Sequence, residues 1–193
     1  MTLSARARLA ERCDDARSWA AGRWWPPRAA LLACLAYPGW RHLADPEYGS
    51  IFSGITLGVH ELGHLVFSPL GHWPGAAGGS LLQVAAPVAV AYGFLRQRDY
   101  FAVAVAGAWE SMSLANLATY IADARAQELP LVSPFSGDVE HDWNYLLSSF
   151  GLLRLDTAIA ASVRLLALLV LAASLALGVR LCVTMARSRA AHR

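Results

Sequence analysis

The stretch GITLGVHELGHLVFSPLG, residues 54–71, sets two histidines and a glutamate inside a run otherwise apolar enough for a membrane helix. An ionisable group at mid-membrane costs about 2.5 kcal/mol or more unless it is paired, so three together point to function. Their order is His60-Glu61-Leu62-Gly63-His64, the HExxH pattern. On a helix the i, i+4 spacing sets both imidazoles on one face, about one turn apart, where they can share a metal ion. Glu61 lies about 100° round the helix. It flanks the ion and can take a proton from an attacking water and pass it to a leaving amine. Neutral imidazoles suit zinc, and one Zn2+ per chain is expected.

Around this core, Gly54 and Gly58 form a GxxxG pair and Gly63 follows, so close approach of neighbouring helices is expected, within one chain or between two. Pro69-Leu70-Gly71 ends the helix, and GHWPGAAGGS, residues 71–80, reads as an irregular loop. His72 falls in that loop. A metzincin-type extension would need glycine at position 67 and histidine at position 70, where Phe67 and Leu70 stand, so His72 reads as an interfacial loop histidine.

The rest of the chain agrees with a membrane setting. Of 193 residues, 56% are hydrophobic and 16% charged, which fits a small polytopic membrane protein better than a water-soluble domain. Four segments read as spans: Ser50 to Leu70, Ser80 to Leu95, Tyr100 to Ala122 and Thr157 to Val179. Ala29 to Leu43 is interrupted by Pro38-Gly39 and Arg41-His42 and reads as an interfacial segment. Nor does it end like a signal peptide. The expected fold is an all-α membrane helix bundle of about four transmembrane helices. It divides into an arginine-rich N-terminal and interfacial part, 1–48, a helical membrane domain, 49–186, and a basic tail, 187–193.

Every basic residue is arginine. Arg6, Arg8, Arg12, Arg17, Arg23 and Arg28 precede the apolar part, and Arg187, Arg189 and Arg193 follow it. The positive-inside rule then places both termini in the cytoplasm, RQRD at 96–99 inside, and the acidic stretch Asp123 to Asp156 outside. These arginines read as topology determinants and contacts to anionic headgroups, not as a nucleic-acid surface. Cys13, Cys34 and Cys182 form no CxxC pair, which argues against a thiolate zinc site and a disulfide framework.

A catalytic zinc takes three protein ligands and leaves a position for water. HExxH supplies two. The candidates for the third are His141 and Asp142 in GDVEHDW, Asp123 in YIADAR, and Glu110 in AWESMSLAN. His141 leads, with Asp142 as an alternative ligand, a partner that orients an imidazole, or the N-cap of the helix that follows. Glu110 is placed near the middle of its span, at the depth of His60. Asn116 is a candidate donor to a developing oxyanion, or a helix-to-helix hydrogen bonder.

HExxH in an early membrane helix, a glycine-rich segment and a later carboxylate-bearing segment resemble the site-2-protease class of intramembrane zinc metallopeptidases. The set HELGH, GGSLLQ, YIADAR and HDW is similar to small bacterial membrane proteins described as zinc peptidases of that type. The likeness covers roughly residues 50–155 and implies an integral protein of the bacterial cell membrane that cuts membrane proteins or peptides. In site-2 proteases an aspartate of an LDG or NPxxxxDG motif is the third ligand. Neither motif occurs here, so the carry-over extends to His60, Glu61 and His64 alone. Two other functions use the same residues: a zinc hydrolase acting on a lipid amide or ester, and a non-catalytic metal-binding membrane protein, which would have no need of Glu61.

Overall fold

A computed structural model describes residues 5–130 and 140–191; the side chains of residues 5–10 and of Cys13, the segment 131–139 and Arg193 lie outside it. With them go Arg6, Arg8 and most of the stretch between Asp123 and His141. The described residues form helices α1 (Ala5–Ala20), α2 (Pro26–Ala44), α3 (Ile51–Phe67), α4 (His72–Arg96), α5 (Tyr100–Ala122), α6 (Asp142–Ser149) and α7 (Asp156–Ala190), with no strand among them. Three stretches are long and apolar enough to cross a membrane: α4, α5 and Leu153–Ala190, which contains α7. The fourth expected span is not matched by a single long helix. α3 has 17 residues, which at 1.5 Å each make about 26 Å, short of a hydrocarbon core of roughly 30 Å.

α5 is the central helix. Its faces carry small residues, and small residues are what let membrane helices approach closely. Ser111 Oγ donates to the Ala167 carbonyl of α7 at 2.8 Å, and Ser113 Oγ to the Gln83 carbonyl of α4 at 3.0 Å. Both neighbours run antiparallel to α5. Ile121 meets Ala160 near one end, and Phe101 meets Leu95 and Met185 near the other.

The segment read as interfacial is laid lengthwise along α5 and α7. Leu32 of α2 packs with Phe101 and Leu181, and Leu35 with Ala108, Met112 and Leu171. Pro38 lies inside the helix, and Gly39 receives the Leu171 side chain. Neighbours that pack on a Pro-Gly break make it tolerable in a membrane helix. After a bend at residues 45–50, α3 continues in the same direction, since Phe52 packs beside Met112 and the His60 ring lies against Tyr120. The bend is tied by hydrogen bonds. Ser50 Oγ accepts from the Phe52 N–H at 3.2 Å, Ser53 Oγ accepts from the Ser50 N–H at 3.0 Å, and His42 Nε2 lies 2.8 Å from Ser50 Oγ. A cap of this kind is worth about 1 kcal/mol.

Residues 71–80 are not a loop. α4 starts at His72 and carries Gly75, Gly78 and Gly79 as buried helical residues. Tertiary contact overrides the turn chemistry: a Cβ on Gly63 would stand 2.2 Å from the Gly78 carbonyl oxygen, so α3 and α4 touch backbone to backbone. Gly54 and Gly58 face open space, and the close approach expected of them occurs at Gly63 instead.

α1 packs at the other end of the bundle. Trp19 stands edge-on to Tyr100 at 5.9 Å, Ala20 packs with Met185, and the Gly22 N–H donates to Ser188 Oγ at 2.9 Å. The N-terminal helix and the C-terminal end of α7 therefore share the end remote from His60.

Candidate metal centre

α3 brings His60, Glu61 and His64 together, with one ligand atom from each within 4.8 Å of the others. His60 is buried at 7% exposure; Glu61 and His64 are half-buried. Each imidazole is held by its Nδ1. His60 Nδ1 lies 2.9 Å from Gln83 Oε1, and His64 Nδ1 lies 2.9 Å from the Gly75 carbonyl oxygen. A carbonyl oxygen only accepts, so both Nδ1 atoms donate and, in the neutral rings, both Nε2 atoms carry lone pairs.

Those lone pairs converge on one carboxylate. Asp142 Oδ2 lies 3.2 Å from His60 Nε2 and 3.2 Å from His64 Nε2. Three electron-rich atoms in this arrangement need a cation among them, a proton or a metal ion. The spacing also fits a metal: two ligands about 2.0 Å from a common tetrahedral ion stand ~3.3 Å apart. Gly79 makes the room, because a Cβ there would lie 2.6 Å from His64 Nε2 and 2.7 Å from His60 Nε2.

Asp142 opens α6, and the structure shows why it turns inward. The Tyr120 hydroxyl donates to Asp142 Oδ2 at 3.1 Å and accepts from the Asp142 N–H at 3.1 Å. The N-cap of α6 is His141, whose Nδ1 accepts from the Asn144 N–H at 3.3 Å. The capping expected of Asp142 thus falls to its neighbour. Trp143 Nε1 donates to Ser80 Oγ at 3.0 Å and anchors α6 on α4.

His141, the leading candidate for third ligand, does not meet the two imidazoles. Its ring packs on Tyr120 at 4.3 Å, and its Nε2 lies 3.3 Å from Asp123 Oδ2 and makes no hydrogen bond among the described residues. Asp123 is occupied by the loop after α5, accepting from the Glu128 and Leu129 N–H groups at 2.9 and 3.1 Å. Glu110 is buried on α5 with no hydrogen-bond partner for its Oε2 among the described residues. It sits roughly ten residues, about 15 Å, before Tyr120 along the helix. The expected match in depth with His60 fails because Phe52, at the start of α3, packs beside Met112, and His60, about two turns further on, lies against Tyr120. His72 is the first residue of α4, exposed, 2.8 Å from Glu140 Oε2.

Asn116 is joined to the centre through Gln83, whose Nε2 donates to Asn116 Oδ1 at 3.3 Å and to the Ser113 carbonyl at 3.0 Å. Asn116 is exposed, and its own amide N–H groups bond to no described residue. Gln83 and Tyr120 were not singled out in the sequence. A lone glutamine in the apolar run LLQVAAPVAV is the signal that marks Gln83, since polar groups in spans are costly without a partner. Tyr120 shares the α5 face of Ser113 and Asn116 at helical spacing.

Compared with known proteins, the chain matches no family model, no curated protein and no solved structure.

Proposed function

We propose that the chain is a membrane-embedded metallopeptidase that holds one zinc ion on His60, His64 and Asp142 and uses Glu61 as its general base. The observation that carries this reading is the meeting of both Nε2 atoms with one Asp142 oxygen, beside a glutamate placed by HExxH spacing. A bound zinc would supply Lewis acidity and a water of pKa near 7. Glu61 removes a proton from the attacking water as the water oxygen bonds to the peptide carbon. It then returns that proton to the amine nitrogen as the C–N bond breaks. Gln83 and the Gly75 carbonyl hold each imidazole in the tautomer that leaves Nε2 free, and Tyr120 holds the Asp142 carboxylate against them. The uncommitted amide of Asn116 is the proposed donor to the carbonyl oxygen as negative charge develops on it.

The same reading puts α2 and α3 end to end as a fourth crossing, with α4, α5 and α7 as the others. The chain ends beside α1 then lie on the cytoplasmic side of a bacterial membrane, and the site opens towards the opposite face. The substrate is a membrane protein or peptide segment.

The test is a pair of variants in purified, zinc-loaded protein. Glu61→Gln is expected to keep zinc and its unfolding temperature while losing hydrolysis of a membrane-anchored peptide by at least ~100-fold. Asp142→Ala is expected to lose zinc. Unchanged turnover in Glu61→Gln would remove every hydrolase reading. Turnover of a lipid amide with none of peptide would reassign the substrate class.

A further inference from the structure

An open groove of about 430 Å³ runs between α2 and α7 at the end of the bundle away from the metal centre. Ala29, Ala33 and Ala36 form one wall, Val179 and Val183 the other, and no charged side chain lines it. We propose that this groove binds one acyl chain of an anionic phospholipid, whose phosphate is held by Arg28 and Arg187.

The mouth supplies the second half of the match. Trp25 lines it at 39% exposure and Trp24 beside it is 60% exposed, a placement typical of indoles at headgroup level. Arg187 follows Val179 and Val183 at four-residue steps, so it continues the same α7 face beyond the apolar wall. Arg28 reaches back to the Trp24 carbonyl at 2.8 Å, which fixes its guanidinium at the start of α2. Neither arginine pairs with a carboxylate among the described residues, whereas Arg17, Arg41, Arg98 and Arg125 all do. An uncharged slot ending in two guanidiniums that no described carboxylate neutralises selects a ligand that is apolar along its length and anionic at its tip. Alanines on one wall leave the width that a larger side chain would fill. The groove shares none of its residues with the metal centre, so this inference stands apart from the peptidase reading.

The probes are phosphatidylglycerol and phosphatidylcholine of matched acyl chains, mixed equally in detergent micelles with the full-length protein and counted by native mass spectrometry. One phosphatidylglycerol per chain is expected, preferred about tenfold. Arg187→Gln should bring the preference close to unity, and Ala33→Phe should reduce retention of both lipids, with each variant eluting as the parent on size exclusion. Equal retention of the two lipids by the parent protein, or undiminished retention in Ala33→Phe, would overturn the proposal. If Ala33→Phe elutes abnormally, Val183→Phe fills the groove from the other wall and decides the same point.

Discussion

The contacts of α2 with α7 and of α3 with α4 both fall on glycines, and they differ in what fills the missing side chain. Where α2 meets α7, Gly39 and Gly178 each receive a leucine tip, 2.7 Å from where a Cβ would stand: Leu171 on Gly39 and Leu32 on Gly178. Where α3 meets α4, Gly63 receives the backbone of Gly78, and Gly79 receives both imidazoles of the metal centre. A leucine methyl can swing aside; a helix backbone cannot, and an imidazole fixed at Nδ1 moves only by breaking that bond. The first contact tunes packing, and the second defines a site.

Substitutions at these glycines test the distinction. Gly63→Ala should be the most damaging, costing about 3 kcal/mol or more because the clash falls on backbone, seen as loss of cooperative thermal unfolding in detergent. Gly79→Ala should leave the helices in place but push the imidazoles apart, weakening zinc about 100-fold by competition with a chelating dye. Gln83→Leu keeps the volume roughly constant and frees the His60 tautomer, for a tenfold to hundredfold loss in the same titration. Gly178→Ala, the counterpart at the leucine contact, should cost about 1 kcal/mol or less. Should Gly178→Ala prove as harmful as Gly63→Ala, the contrast between the two contacts would collapse.

The smallest effect belongs to the far end, at an ion pair between α1 and the turn before α5. Asp15 of α1 accepts from Arg98 Nε at 2.9 Å and from the Tyr100 hydroxyl, and with Arg98 the larger influence these partners hold its carboxyl below the ordinary value of 3.8. A lowered pKa stabilises the docked helix at every pH above that ordinary value and ceases to do so as pH falls through the lowered one. Proteolysis within α1 should therefore rise only on strong acidification. In Asp15→Asn it should be higher already at neutral pH and largely independent of acid.

How far the sequence reveals all this depends on the range of each interaction. His60, Glu61 and His64 are legible because helical spacing alone puts them together. The carboxylate that meets the imidazoles is not, because His141 and Asp142 are adjacent and only the start of α6, with Tyr120 beneath it, decides which of them faces those rings. The glycine-rich stretch misleads for a similar reason. Taken locally, Gly75, Gly78 and Gly79 break a helix; against α3 they are what lets one form where it does. Length also misleads at residues 50–70, read as one span, where α3 has only 17 residues and a bend tied by His42 and Ser50 joins it to α2.

The order of the three converging side chains along the polypeptide carries a consequence for biosynthesis. A growing chain delivers His60 and His64 early and Asp142 only after α4 and α5 have been made, so a ribosome-bound or truncated chain ending before α6 has both imidazoles and lacks the carboxylate. If the three atoms hold zinc as proposed, tight metal uptake would wait until α6 has been made. On the same reading, the order of synthesis alone would keep an inserting intermediate from acting on its neighbours in the membrane.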